Sequence, residues 1–103
     1  MQFIAEAEIP TTHPSLPGHF PGYPIVPGVV LLDTVIETAR RHLGGCRILS
    51  LPNAKFVAPL GPGVRFTIEL ASEAPGSLRF VVKTMERTIA SGSLRYQSSG
   101  DRA

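Results

Sequence analysis

Residues 29–45 read VVLLDTVIETARRHLGG, and this stretch decides the architecture. Val29, Leu32, Val35, Ile36, Ala39 and Leu43 recur at helical spacing, and Gly44 and Gly45 supply an end. Pro27 just before them has its φ preset for a helix start. The pattern predicts one long helix. Upstream the character changes, because prolines at 10, 14, 17, 21, 24 and 27 remove backbone donors and forbid both a helix and a continuous ladder. Residues 10–27 are nevertheless too apolar for a disordered linker, so an ordered loop of fixed backbone is expected there.

Residues 2–9 alternate, with Phe3, Ala5, Ala7 and Ile9 on one face and Gln2, Glu6 and Glu8 on the other, the period of a half-buried strand. After the helix, shorter alternating segments predict strands near 47–51, 54–58, 64–72, 78–86 and 88–97. Val64, Phe66, Ile68 and Leu70 share a face, as do Leu78, Phe80 and Val82. Pro75-Gly76 signals the turn between those two strands, and Glu86-Arg87 gives a weaker signal for the next. One strand, a loop, one helix and a run of antiparallel strands make an α+β domain with a helix packed on one sheet. It is expected to span residues 1–97 as a single domain, with the polar SSGDRA of 98–103 as a flexible tail.

Composition narrows the function. A chain of 103 residues, 43% hydrophobic, forms one small domain whose core buries about two thirds of its unfolded surface, so dimerisation would help it. The net charge of +2 comes from scattered basic residues without aromatic interleaving, which does not point to nucleic acid. The longest uncharged stretch, residues 9–32, is broken by the prolines and cannot be a membrane-spanning helix. Cys46 is the one cysteine, which leaves no internal disulfide or zinc cluster, and MQFIAEAEIP is acidic without a long apolar run. A reducing cytoplasm is the expected setting.

Two residues stand out chemically. His19 sits inside GHFPGYPIVPG, residues 18–28, and Asp33 is the first charge after the long uncharged stretch, set between aliphatic neighbours. Asp33 reads either as a solvent-edge carboxylate complementing the helix dipole or as an acid brought with His19 to one pocket. His19 likewise reads as a structural loop histidine or as a base.

The residues favour the functional reading, because GHFPGYPIVPGVVLLD, 18–33, resembles the signature of 3-hydroxyacyl-[acyl carrier protein] dehydratases of the FabZ and FabA type. That signature is a histidine in an HFPG loop, a PGV helix start and an acid fourteen positions after the histidine, the separation of His19 and Asp33. LPNAKFVAPLGPGVRFTIEL, 51–70, is similar to the family's post-helix strand, turn and long strand, so the resemblance runs from residue 2 to residue 96. It implies a hotdog fold, a long central helix wrapped by a curved antiparallel sheet, and a dimer whose sheets join edge to edge. In the family each site takes its histidine from one subunit and its acid from the other. The resemblance makes His19 the base, Asp33 the acid and Gly28 the donor of a backbone N–H to the thioester carbonyl, with Phe20 and Val29 beside the substrate. The lack of a Cβ at Gly28 would let the substrate come close. The resemblance implies no metal or organic cofactor. Its partners would be acyl carrier protein bearing a 3-hydroxyacyl group, with Arg40, Arg41, Arg47 and Lys55 available to steer an acidic carrier. A second copy would complete the dimer, or a second hotdog chain, as in compact dehydratases of polyene or aryl-polyene pathways.

The chain departs from the family at several points. It starts where the usual second strand begins, and it has Asp33 where glutamate is common in the FabZ branch. Glu37 replaces a frequent glutamine and reads as a solvent-side partner for Arg40 or Arg41, while Val64 replaces an aspartate. A hotdog acyl thioesterase and a non-catalytic partner subunit are the alternatives. His13 belongs to the loop, His42 suits the helix C-terminus, Cys46 reads as a packing residue, and Tyr23 as a substrate-side hydroxyl or a surface ring.

Overall fold

In the computed structural model, which describes residues 2–10 and 25–98, the chain runs β1 (Gln2–Ala7), α1 (Gly28–Leu43), β2 (Cys46–Phe56), β3 (Phe66–Ala74), β4 (Ser77–Lys83) and β5 (Thr88–Ser98). The five strands form one antiparallel sheet in the order β1-β3-β4-β5-β2, with α1 packed against it. This is the expected hotdog arrangement. Most of the loop expected over 10–27, and the tail expected over 98–103 apart from Ser98, lie outside the described residues.

The alternation in the middle strands builds the core as expected. Leu78, Phe80 and Val82 are fully buried along β4 while Arg79 between them is exposed. Phe66, Ile68 and Leu70 are buried along β3, in the same cluster as Leu94 and Ile89 of β5. Each such side chain stabilises the fold by about 1.5 to 3 kcal/mol relative to leaving it in water. Gly76, at φ 76°, makes the β3–β4 turn, and Thr84 closes the β4–β5 turn by accepting hydrogen bonds at Oγ1 from the N–H groups of Glu86 and Arg87.

Three local expectations are corrected. The buried face of α1 is Leu31, Val35 and Ala39, and Val29 is 66% exposed, because residues 29–32 are all apolar and their phase is undetermined until the later turns are placed on the sheet. The segments 47–51 and 54–58 are one continuous strand, β2, which pairs with β5 through register shifts between Ile48 and Ser50 and between Ser50 and Asn53. Pro52 suggests a break, but an edge strand tolerates a proline at a bulge. Finally, Val64 precedes β3 and is exposed rather than sharing the face of Phe66, and β4 ends at Lys83.

Candidate active site

The two ends of α1 differ in how their backbone groups are satisfied. At the C-terminus, Gly44 turns left-handed at φ 68° and its N–H donates to the Arg40 carbonyl at 3.0 Å. Arg40, Arg41 and His42 there complement the negative end of the dipole. At the N-terminus the capping position is Pro27, which has no polar side chain, and the first turn holds no acidic residue. Its carbonyl accepts from the Val30 and Leu31 N–H groups at 3.0 and 3.2 Å. The earliest amides, Gly28 and Val29, therefore lie at the positive end of the dipole with no side-chain cap from the described residues. Such a terminus suits an oxygen that carries or gains negative charge.

Asp33 is the sixth residue of α1, beyond the first turn, so the dipole does not account for it. It is exposed on the wall of a cavity of about 570 Å³ between α1 and β1, whose floor is Phe3, Ala5 and Ala7 and whose rim carries Glu37 and Arg41. Glu37, one turn on, pairs with Arg40 at 3.8 Å, the solvent-side role expected of it. Asp33 has no hydrogen-bond or ion-pair partner among the described residues. Thr34 and Thr38, on the same cavity, donate their hydroxyls to the Val30 and Thr34 carbonyls at 3.0 and 2.8 Å, as helical threonines do.

Gly28 opens elsewhere. It lines a separate cavity of about 430 Å³ with Leu31, Phe56, Val57, Leu60 and Ile89, all apolar. Asp33 lies five residue steps beyond Gly28, roughly 7.5 Å along the axis and about 140° around it. Gly28 and Asp33, which has no partner among the described residues, thus line different cavities of one chain. A larger cavity, about 800 Å³ beside the β4–β5 turn, holds none of the predicted site residues.

The remaining candidates divide plainly. His19, Phe20, His13 and Tyr23 lie outside the described residues. Val29 is exposed beside Gly28, and Arg40, Arg41, Arg47 and Lys55 are all exposed. His42 stacks on Phe3, ring centroids 4.2 Å apart at 20°. Burial pushes the Cys46 thiol above its ordinary pKa, outweighing a backbone hydrogen bond and the Arg40 charge, so it stays a protonated packing group. Phe56 is a site neighbour that sequence reasoning misses. Its only signal is an aromatic at the end of a strand otherwise rich in small and polar residues.

Comparison with known proteins gives the family. The chain belongs to the ApeI-like family, whose model, described as ApeI dehydratase, matches residues 1–93. Among curated relatives, the 3-hydroxyacyl-[acyl-carrier-protein] dehydratase FabZ of Thermus thermophilus is 31% identical over 107 residues, covering 95% of this chain and 74% of that protein. The FabZ of Rhizobium rhizogenes is 32% identical over 78 residues, 68% of this chain, and this match spans half of that enzyme's length. Among solved structures, the dehydratase heterocomplex ApeI:P of Xenorhabdus doucetiae superposes with a TM-score of 0.81 at 26% identity, covering 93% of this chain and 87% of the other. A point mutant of the fluoroacetyl-CoA-specific thioesterase FlK has a TM-score of 0.69 at 15% identity, covering 94% and 84%, a likeness of fold alone.

Proposed function

We propose that the chain dehydrates a 3-hydroxyacyl thioester, carried on acyl carrier protein, to the trans-2-enoyl thioester. His19 takes the C2 proton, the C2–C3 double bond forms as the C3–O bond breaks, and Asp33 of the partner subunit gives or positions the proton with which the hydroxyl leaves as water. Imidazole, with an ordinary pKa of about 6.5, suits the first task. The thioester oxygen gains negative charge in that step, and the Gly28 N–H at the uncapped helix terminus is the donor for it. Phe20 and Val29 lie beside the acyl group. No cofactor enters the reaction.

The observation that carries this reading is the pairing state of the two helix carboxylates: Glu37 is held by Arg40 and Asp33 by nothing among the described residues. The separation of Asp33 and Gly28 onto different cavities supports a site completed by a second chain. So does the eleven-residue edge strand β2, which carries the exposed Leu49 and Phe56 and, as an edge, a row of backbone groups turned away from the sheet. The second chain is a copy of this one or a second hotdog protein, the latter suggested by the Xenorhabdus heterocomplex.

The test is incubation of the purified chain with 3-hydroxyacyl thioesters on carrier protein and on coenzyme A. Loss of one water by mass spectrometry with the thioester intact is expected. Release of free thiol instead would replace the reading with a thioesterase. Inactivity alone, relieved by a second hotdog chain that is itself inactive when its own histidine is replaced, would make this chain the non-catalytic partner.

A further inference from the structure

Phe56 ends β2 opposite Ala90, and the chain just beyond it is pinned because the Val57 and Ala58 N–H groups both donate to the Ile89 carbonyl, at 2.9 and 3.3 Å. From that fixed point the ring reaches the start of α1. A Cβ placed on Gly28 would lie 2.9 Å from Cζ of Phe56 and 3.2 and 3.3 Å from its two Cε atoms, so the ring meets the glycine tip-on and takes the room a side chain would need. From the sequence, that room is expected to admit the substrate. The structure gives it to Phe56.

Hydrocarbon, not water, therefore covers one side of the first residue of α1, while Phe56 itself remains 48% exposed. We propose that Phe56 is a positioning residue for the thioester site, holding the Gly28 backbone in place and screening one side of it from solvent, with its ring forming one wall of the apolar cavity that Gly28 lines with Leu31, Leu60 and Ile89. This rests on the reading of Gly28 as the carbonyl donor. A hydrogen bond to a developing oxyanion strengthens as water is excluded, and that gain is realised in the transition state rather than on substrate binding. The expected signature is thus on kcat more than on KM.

Two readouts on the whole protein test it. In Phe56→Ala, kcat should fall by roughly tenfold, a fraction of the 10²–10³ that removing such a donor costs, with KM changed much less. Phe56→Leu should restore most of kcat. Gly28→Ala should displace the ring and lose activity, and Gly28→Ala combined with Phe56→Leu should regain part of it. Independently of any activity, amide hydrogen exchange at Gly28 should accelerate in Phe56→Ala with the melting temperature little changed. Unchanged exchange at Gly28 would overturn the screening role, and accelerated exchange with unchanged kcat would overturn the positioning role. If the wild type performs no dehydration, the functional reading fails and positioning of a thioester fails with it, while the exchange experiment still decides the screening.

Discussion

The two ends of α1 are built from the same backbone and treated in opposite ways. The C-terminal end is closed by a left-handed glycine, neutralised by Arg40 and Arg41, and braced by the stacking of His42 on Phe3. The N-terminal end has a proline for a cap, no acidic residue in its first turn, an exposed valine beside it and a phenylalanine ring against its first Cα. Stability alone would favour capping both ends, since a side-chain cap contributes about 1 kcal/mol. Leaving one end uncapped keeps its N–H groups and its positive potential available to a ligand. Substitutions at the two ends should therefore separate stability from activity.

The largest expected effect is at the N-terminal side, at His19 in the sequence that precedes the helix. His19→Ala should lower dehydration by roughly two to four powers of ten, the usual contribution of a positioned base, with the unfolding transition unchanged. Near-normal turnover in steady-state assays would remove His19 from the mechanism and leave the uncapped terminus without a partner.

Next in size is the recovery expected on mixing subunits. His19→Ala and Asp33→Asn homodimers, each inactive, should regain roughly a quarter of wild-type activity after exchange, because about half the dimers become mixed and each mixed dimer has one intact site on a two-fold assembly. Verified exchange without recovery would place both residues in one chain and contradict the proposal of a site shared between subunits.

At the opposite end, Gly44→Ala should cost roughly 1 to 2 kcal/mol of stability, because an L side chain disfavours the left-handed conformation, with kcat unaffected. Thermal or denaturant unfolding reads it. A loss of kcat without a loss of stability would erase the contrast between the ends. The smallest effect belongs to Glu37→Gln. An exposed i,i+3 pair with Arg40 contributes at most a few tenths of a kcal/mol, so both stability and turnover should stay close to wild type. A large drop in turnover would move Glu37 into the site.

How much of this is legible in the sequence depends on whether the signal is local. The strands β3, β4 and β5 are readable because Phe66, Ile68, Leu70, Leu78, Phe80 and Val82 alternate with polar residues and the pleat alone decides which way they point. The length of α1 is readable from Pro27 and Gly44. Its rotation is not, because four consecutive apolar residues start it and only contact with the sheet selects Leu31 over Val29. The continuity of β2 across Pro52 is hidden for a similar reason, since pairing with β5 through shifted registers is a property of the partner strand. In the site, the spacing of His19 and Asp33 is visible as a motif, and the proposed role of Asp33 gains support only because Glu37 is paired while Asp33 has no partner among the described residues. The contact of Phe56 with Gly28 joins positions far apart in sequence, and no local pattern announces it.

The proposed reaction removes water from, or adds it to, an intact acyl thioester at this helix terminus, and isotopic water reads that exchange out. The wild-type chain, with a second chain if one is needed, should be given a trans-2-enoyl thioester on carrier protein in ¹⁸O-labelled water. The expected product carries one ¹⁸O in its 3-hydroxyl and is still a thioester, with the label absent in His19→Ala. Label recovered instead in a free carboxylate, together with released thiol, would contradict it.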